Sequence, residues 1–207
     1  GKSTLMNYLI EQKVSIVTAK PQTTRRRILG IQNVDNAQLI FVDAPGLVKA
    51  EKGLNAFLEK EAQEVIKESD ALLAVLSIDE TAAESVEKVL TMVKNSKKPW
   101  MGIITKTDVQ DKAHRILIVK GMVEELGAKC LQVSCLKDGE EGRKGILNEL
   151  VNLLPEAAAP LYEDDLYTTE NMRELVSEIV REKCFENLNH ELPYQLAVQV
   201  RKFDESA

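Results

Sequence analysis

The chain begins with Gly-Lys-Ser-Thr at residues 1–4, a combination that can bind phosphate. Complete phosphate-binding loops follow the pattern G-x-x-x-x-G-K-[ST]. Their backbone N–H groups surround the phosphates, the lysine neutralises charge and the hydroxyl holds Mg²⁺. Four residues alone are equally typical of an exposed turn. The first glycine, the spacer and the strand that feeds them would precede Gly1, so we expect a piece of a longer protein. The candidate phosphate-binding residues here are Gly1, Lys2, Ser3 and Thr4.

A second loop, Asp-Ala-Pro-Gly at residues 43–46, directly follows a short apolar run. An aspartate at the carboxyl end of a strand can hold Mg²⁺ through a water molecule. A glycine close behind it lets a backbone N–H approach a terminal phosphate, because no Cβ stands in the way. Asp43 is therefore a candidate metal residue and Gly46 a candidate phosphate residue. Standing alone, the same four residues would be an ordinary proline–glycine turn.

A third and a fourth loop could recognise a purine base. Thr-Lys-Thr-Asp at 105–108 follows another apolar run, and the Asp108 carboxylate can accept two hydrogen bonds from the N1–H and N2–H₂ edge of guanine. Adenine offers no such pair of donors, and the stem of Lys106 can lie along the purine face. Ser-Cys at 134–135 could line the base pocket with backbone N–H groups. The candidate guanine-binding residues are Thr105, Lys106, Asp108, Ser134 and Cys135.

Short apolar runs alternate with helical patterns as far as residue 155, which predicts a doubly wound α/β domain. Strongly apolar runs of this length suit strands that are buried on both faces of a parallel sheet. The ligand then lies where the loops gather at the carboxyl ends of the strands. The predicted strands are 37–42, 71–76, 100–104 and 130–133, and the predicted helices are 55–67, 83–94, 113–126 and 146–154.

A change of composition at residues 154–160, where two prolines flank small residues, predicts an interdomain linker. A helical pattern and an apolar run at 196–200, predicted to be a strand, follow it. One helix and one strand cannot form an independent core, so they predict the start of a second domain. The predicted division is a nucleotide-binding domain at 1–154, a linker at 155–169 and an incomplete second domain at 170–207.

Composition excludes some classes of protein. The 207 residues carry a formal net charge of −6, which argues against indiscriminate binding to polyanions. No run of about 18 apolar residues is present, so no transmembrane helix is predicted. The three cysteines have no metal-ligand spacing and are predicted to be reduced thiols, as in a cytosolic protein.

In this order the four loops resemble the phosphate, magnesium and guanine loops of the translation-factor-related GTPases. The chain departs from that family at Thr105, where the family has asparagine, and at Ser134-Cys135, where it has Ser-Ala. Threonine can still hydrogen-bond to neighbouring backbone. We therefore expect nucleotide affinity to soften while the choice of guanine, which depends on Asp108, persists.

Residues 20–31, Lys-Pro-Gln-Thr-Thr-Arg-Arg-Arg-Ile-Leu-Gly-Ile, resemble the first switch of the Era family of ribosome-assembly GTPases. The resemblance implies that a threonine hydroxyl completes the Mg²⁺ shell when the γ-phosphate is present. We assign this role to Thr24, with Thr23 as the alternative. The three arginines at 25–27 are expected to form a solvated basic turn, in preference to a specific RNA contact. The predicted metal residues are thus Ser3, Thr24 and Asp43.

Residues 177–183 and 191–194 resemble the entry to the RNA-binding KH domain of Era. The resemblance implies a GTP- and GDP-binding, GTP-hydrolysing switch that acts in small ribosomal subunit assembly by binding 16S-type rRNA. The fold would be a P-loop GTPase with a mostly parallel sheet lacking its first strand, followed by the start of a KH domain. The GxxG loop that clamps RNA in KH domains is absent from residues 160–207, so this stretch alone is not expected to bind RNA. We also expect the 207 residues alone to bind GTP weakly.

The resemblance also implies a Mg²⁺ cofactor, a monomer and a cytoplasmic protein. Peripheral association with the inner face of the cell membrane is a property of Era-type proteins, but no anchor is visible here, and an organelle location stays open. No general base is assigned. Leu47 stands where Ras-like GTPases carry a water-orienting glutamine, so slow intrinsic hydrolysis is expected. Some relatives recruit K⁺ in its place, which makes K⁺ a second candidate cation.

Three alternatives remain open from the sequence. A nucleotide-gated RNA-assembly scaffold with negligible turnover is consistent with Leu47. A P-loop ATPase or kinase is disfavoured by the Thr-Lys-Thr-Asp loop at 105–108. A related GTPase of the tRNA-modifying or double-domain ribosomal type is disfavoured by the Leu-Pro-Tyr sequence at 192–194.

Overall fold

Five strands and six helices make up the part of the chain described by the computed structural model, namely residues 1–18, 20, 23–46, 54–78, 83–109, 112–188 and 196–203. Helices and strands alternate from α2 to α5, as the apolar pattern predicts. In chain order they are α1 (Lys2–Ile10), β1 (Ile28–Val34), β2 (Ala37–Asp43), α2 (Leu54–Glu68), β3 (Leu72–Ser77), α3 (Ala83–Ser96), β4 (Trp100–Thr105), α4 (Ala113–Glu125), β5 (Cys130–Val133), α5 (Gly139–Leu153) and α6 (Met172–Asn187).

The strands β3, β4 and β5 form a parallel sheet in that spatial order. Ser77 pairs with Thr105, and Thr105 pairs with Val133, so the three strands end level with one another. Because parallel strands place all their carboxyl ends at one edge, the loops that begin at residues 78, 106 and 134 start side by side. This edge is where the candidate guanine-binding residues emerge.

The hairpin of β1 and β2 differs from the sequence-based prediction. β2 was expected in the parallel sheet, which is wrong, because it pairs antiparallel with β1 along its full length. β1 itself was not predicted, since Ile28 to Ile31 were assigned to a switch segment. The sequence signal for this hairpin was Asp-Asn at 35–36, between the two strands. These residues form a short turn in which Asp35 has a φ of 45°. Such a two-residue turn with positive φ favours a β-hairpin.

The parallel sheet is covered on both faces, and β4 distributes its side chains between them. Met101 and Ile103 pack with apolar residues of α1 and α5, whereas Ile104 packs with α3 and α4. This alternation follows from the two-residue period of a strand. Gly102 lets α4 approach closely, because a Cβ there would lie 2.9 Å from a methyl group of Val123. The core therefore holds the carboxyl edge of the sheet rigidly beneath the loops.

Helix α5 begins seven residues earlier than the predicted span of 146–154. Three glycines at 139, 142 and 145 hide the helical pattern, since glycine is a poor helix former. The compensating features are acidic residues in the first turn, which favour the helix amino terminus, and a 2.8 Å ion pair between Glu140 and Lys144. The predicted bounds of α2, α3 and α4 agree with the structure to within two residues.

The predicted linker has no regular secondary structure, but it runs along the β1–β2 hairpin. The Gln38 side chain accepts 2.9 Å hydrogen bonds from the backbone N–H groups of Leu161 and Tyr162. Further along, the Thr168 hydroxyl donates to the Leu29 carbonyl at 2.7 Å. These contacts hold the segment against the β1–β2 hairpin, so α6 begins close to β1.

Helix α6 begins with a capping box in which Asn171 and Glu174 each accept the other's backbone N–H. Its apolar residues Met172, Ile179 and Val180 are exposed, at 54%, 43% and 44% of their surface. The buried side contains Phe185 together with two charged residues. An apolar stripe at helical spacing usually faces a core, but here the opposite side of the helix is buried, where it contacts Val17 and Thr23.

The predicted strand at 196–200 is wrong, because these residues have no regular secondary structure. A strand requires ladder hydrogen bonds to a neighbour, and none joins this segment within the described ranges. The Leu196 carbonyl instead accepts a 2.8 Å hydrogen bond from the Arg25 side chain.

In the described part of the chain, no helix is both long and apolar enough to cross a lipid bilayer.

Candidate nucleotide-binding site

The amino-terminal end of α1 lies against the carboxyl edge of the parallel sheet. The Gly1 carbonyl accepts the Leu5 N–H at 2.9 Å, which closes the first helical turn. A Cβ placed on Gly1 would lie 3.7 Å from Thr105 Oγ1, so α1 starts directly beside the end of β4. Backbone N–H groups in the first turn of a helix attract anions. The position is therefore suited to phosphate.

Lys2 and Gly46 meet at this helix terminus from two distant parts of the chain. A Cβ placed on Gly46 would lie 3.7 Å from Lys2 Nζ. The loop after β2 thus passes next to the ammonium group, and a side chain at 46 would narrow the space between them. A phosphate held by Lys2 would lie within reach of the Gly46 backbone.

Three side-chain oxygens from three separate segments converge next to Lys2. The Ser3 hydroxyl donates to Asp43 Oδ2 at 2.5 Å, and the Thr24 hydroxyl donates to the same oxygen at 3.3 Å. Ser3 Oγ and Thr24 Oγ1 are 3.3 Å apart. Thr24 and Asp43 are buried, at 5% and 4% exposure. All three predicted metal residues therefore lie in one cluster, and it is the Thr24 hydroxyl that the structure brings to it.

The cluster fits a small, hard cation. Mg²⁺ prefers oxygen ligands in an octahedral shell, where neighbouring ligand oxygens are about 3 Å apart, and the 3.3 Å between the two hydroxyls is close to that spacing. The other carboxylate oxygen, Asp43 Oδ1, is buried and has no hydrogen-bond partner within the described residues. A buried carboxylate oxygen without a partner is costly, and a cation or an ordered water would satisfy it.

Ser15 is a site residue that the sequence analysis missed. It is 1% exposed, and its hydroxyl donates to Asp43 Oδ2 at 2.8 Å. The Asn7 side chain fixes the backbone around it, accepting the N–H groups of Val14 and Ser15 at 3.1 and 3.0 Å. The only sequence signal was a serine inside an otherwise apolar run, Val-Ser-Ile-Val at 14–17. A buried hydroxyl needs a partner, and here the partner is the metal-site carboxylate.

Asp108 and Ser134 join the two predicted base loops at the sheet edge. The Ser134 hydroxyl donates to Asp108 Oδ1 at 2.7 Å, and Ser134 is 2% exposed. The Ser134 N–H, which was expected to line the base pocket, donates to Asp138 Oδ2 at 2.8 Å instead. The Ser134 hydroxyl, and not its N–H, therefore contacts the carboxylate that we predicted to select guanine.

The remaining predicted base residues, Thr105, Lys106 and Cys135, belong to the same two loops. Lys106 has a φ of 61°, an uncommon left-handed conformation that turns the chain sharply after β4. Thr105 is 2% exposed, and its Oγ1 has no hydrogen-bond partner within the described residues. Cys135 is half-buried, and burial raises the pKa of its thiol. A raised pKa keeps Cys135 protonated at neutral pH, so it adds no charge near the base.

The arginines at 25–27 do not form the solvated basic turn that was expected. Arg26 pairs with Glu170 and, at 3.1 Å, with Glu174 of α6. Arg27 pairs with glutamates of α2. Burial lowers the pKa of Arg25, with a smaller effect in the same direction from nearby positive charge. The basic segment therefore binds acidic groups of its own chain. Leu47, the residue expected to replace a water-orienting glutamine, lies outside the described residues.

These features define the class of P-loop GTPases. At one edge of a parallel sheet lie a Lys-Ser pair at a helix terminus, a cluster of hydroxyls on a carboxylate, and an aspartate bonded to a serine in the two predicted base loops. Residues 1–106 match the family described as 50S ribosome-binding GTPase. The chain is 38% identical over 209 residues to GTPase Era of Chromobacterium violaceum, covering 99% of this chain and 68% of that protein. It is 35% identical over 213 residues to GTPase Era of Geotalea daltonii, with the same coverage.

Solved structures agree with these relatives. A crystal structure of Era in complex with MgGDPNP and nucleotides 1506–1542 of 16S ribosomal RNA matches with a TM-score of 0.86 and 31% identity, over 98% of this chain and 68% of that one. The chain belongs to the Era family of GTPases. The α/β P-loop GTPase fold and the family predicted from the sequence are thereby confirmed.

Proposed function

We propose that this protein is a GTP-binding, GTP-hydrolysing switch that acts in assembly of the small ribosomal subunit. The observation that carries the proposal is the convergence of Ser3, Thr24 and Asp43 beside Lys2, at the sheet edge where Asp108 also lies. A guanine nucleotide requires residues that bind the cation, the phosphates and the base, and these residues lie at one edge of the sheet. The Era crystal structure with MgGDPNP and 16S rRNA supports the same assignment.

In this proposal Lys2 neutralises the β- and γ-phosphates, and the Gly46 N–H contacts the γ-phosphate. Ser3 and Thr24 hold Mg²⁺ directly, and Asp43 holds it through water. The cation supplies charge stabilisation for phosphoryl transfer, a reaction that depends on positioning and electrostatics more than on covalent chemistry. Asp108, oriented by Ser134, accepts the guanine N–H groups. Loss of the γ-phosphate contact would release the segment that carries Thr24.

The RNA-binding part of the proposal concerns residues 170–207, which we assign to the start of a KH domain. It is supported by the resemblance of residues 177–183 to Era and by the 16S rRNA in the Era complex. In the full-length protein, the first domain would report nucleotide state to this second domain. The ligand would be the 3′ region of the small-subunit rRNA.

The test is nucleotide binding and single-turnover hydrolysis by the full-length protein. Fluorescent GTP should be displaced by GTP and GDP but not by ATP, and binding should require Mg²⁺. Hydrolysis measured in K⁺ and in Na⁺ decides whether K⁺ takes part. An RNA carrying the 3′ end of 16S rRNA should bind more tightly in the GTP state than in the GDP state. Nucleotide-dependent RNA binding without turnover would establish the scaffold alternative, and equal displacement by ATP would overturn the proposal.

A further inference from the structure

Helix α6 presents two consecutive buried charges to the segment that precedes Thr24. Arg181 is 5% exposed and Glu182 is 2% exposed. Charged side chains are rarely this buried unless their hydrogen bonds are satisfied. Both satisfy them with groups of the first domain, more than 150 residues away in sequence. These contacts are separate from the nucleotide site itself.

Arg181 is held in a fixed orientation toward the Thr23 carbonyl. Its Nε donates to Glu178 at 3.0 Å, and its guanidinium lies over the Phe185 ring, 5.6 Å from the ring centre. Phe185 is fully buried. The remaining Nη1 donates to the Thr23 carbonyl at 2.7 Å. Because the planar guanidinium is restrained by its own helix, the N–H that it offers to the Thr23 carbonyl points in a fixed direction.

Glu182 holds the other end of the same segment. Its Oε1 accepts the Val17 N–H at 2.9 Å, and its Oε2 accepts Lys13 Nζ at 2.5 Å. Val17 lies two residues after Ser15, whose hydroxyl binds Asp43. Thr23 immediately precedes Thr24. The two α6 contacts therefore hold residues 17 and 23, between the two hydroxyls that bind the metal-site carboxylate.

We propose that Arg181 and Glu182 are positioning residues that hold the Thr24 hydroxyl at the Mg²⁺ cluster. This inference rests on the proposed function of that cluster. Moving Val17 and Thr23 away would leave the Glu182 carboxylate and an Arg181 N–H buried without these partners, which is costly. By thermodynamic reciprocity, whatever displaces α6 weakens Mg²⁺ binding, and loss of Mg²⁺ with the γ-phosphate loosens α6. The helix is thus a mechanical link between nucleotide state and the second domain.

The first experiment measures the Mg²⁺ concentration at which the full-length protein half-saturates with a fluorescent non-hydrolysable GTP analogue. Arg181→Met should raise this concentration about ten-fold, the effect of losing one charge-assisted hydrogen bond. Arg181→Lys keeps one donor, so its half-saturating Mg²⁺ concentration should lie between those of the wild type and of Arg181→Met. Arg173→Met removes an exposed arginine from the same helix and should leave the concentration unchanged. For Glu182→Met, the matched control is Glu186→Met at an exposed position.

A double-mutant cycle separates positioning from general packing. If Arg181 acts through Thr24, then Arg181→Met should add nothing to the Mg²⁺ requirement of Thr24→Val, although both single changes raise it. The electron paramagnetic resonance spectrum of Mn²⁺ bound in place of Mg²⁺ should change in Arg181→Met and in Thr24→Val, but not in Arg173→Met. Additive effects in the cycle, or an Arg181→Lys variant with wild-type Mg²⁺ dependence and Mn²⁺ spectrum, would overturn the inference.

The outcomes also distinguish this inference from the proposed function. If the wild-type protein binds no guanine nucleotide in Mg²⁺, the proposed function fails and the inference fails with it. If the wild type binds and the folded Arg181 and Glu182 variants share its Mg²⁺ dependence, only the inference fails. Thermal melting of each variant identifies those that are folded, and Arg181→Lys provides the measurement if Arg181→Met is not.

Discussion

The Ser15 hydroxyl donates a 2.8 Å hydrogen bond to Asp43 Oδ2, and both residues are almost fully buried. The same oxygen also accepts the hydroxyls of Ser3 and Thr24. Three donors on Oδ2 hold the carboxylate plane in one orientation, which leaves Oδ1 for a ligand from outside the described residues. Ser15 thus links the loop after α1 to the end of β2 at the metal site.

We expect Ser15→Ala to weaken the Mg²⁺-dependent binding of GTP several-fold, because Asp43 would lose one of the donors that orient it. A net loss of about 1 kcal/mol per hydrogen bond corresponds to roughly five-fold. The measurement is GTP-analogue affinity as a function of Mg²⁺ concentration in the full-length protein. Ser177→Ala, which removes an exposed serine hydroxyl, is the control. An unchanged Mg²⁺ dependence in a folded Ser15→Ala variant would show that the contact is only structural.

Asp43→Ala should reduce single-turnover GTP hydrolysis far more than Leu47→Ala does. The carboxylate holds the cation through water in the proposed mechanism, whereas an apolar side chain cannot orient a water molecule. Removing one catalytic electrostatic group costs on the order of 100-fold in rate. Equal losses in the two variants would mean that Leu47 takes part in catalysis.

Asp108→Asn should abolish the preference for guanine, because an amide replaces one of the two acceptor oxygens with a donor. Competition between GTP and ATP for a fluorescent nucleotide measures this preference directly. Asp165→Asn, at an exposed position in the linker, makes the same chemical change away from the site. Ser134→Ala should weaken GTP binding while guanine is still preferred, since the carboxylate remains but loses the hydroxyl that orients it. A preserved GTP preference in Asp108→Asn would remove that residue from the base site.

Arg27 ties the start of β1 to three glutamates on one side of α2. Its guanidinium nitrogens lie 3.1, 2.9 and 2.5 Å from carboxylate oxygens of Glu61, Glu64 and Glu68. Arg27→Met should lower the free energy of unfolding by about 1 kcal/mol at low salt, and the difference should shrink at high salt because partly exposed ion pairs are screened. Chemical denaturation at two ionic strengths measures it, against Arg173→Met. A loss that is independent of salt would indicate packing by the arginine stem.

Burial raises the pKa of the Cys130 thiol from 9.0 to about 11. Between pH 9.0 and about pH 11 the thiol therefore stays protonated in the folded protein, whereas it ionises in the unfolded chain. The folded state binds more protons in that window, so stability contributed by Cys130 falls as pH rises through it. A disulfide reagent at pH 8 should label Cys130 only after unfolding. Rapid labelling of native protein, followed by mass spectrometry of the peptide, would contradict this environment.

Much of the site could be predicted because its residues are local motifs. Gly1 to Thr4 is a recognisable four-residue motif, and the loops ending at Gly46 and at Asp108 each follow an apolar run. The parallel strands β4 and β5 bring the two base loops that follow them to one edge. Apolar periodicity also located β3, β4 and β5, because it reports burial directly. It does not report the partner, and for this reason β2 was assigned to the parallel sheet although it pairs with β1.

What the sequence alone determined is the inventory of chemical groups and their order, which identify a guanine-nucleotide switch of the Era family. The tertiary structure alone decided which groups meet. Ser15 reaches Asp43, and Arg181 reaches Thr23, through contacts between segments that no periodicity relates. It also decided that the side of α6 with Arg181, Glu182 and Phe185 faces inward while Ile179 is exposed. The physical reason is that hydrogen bonds between buried groups depend on how whole elements pack, whereas a helical pattern specifies only which residues share a face.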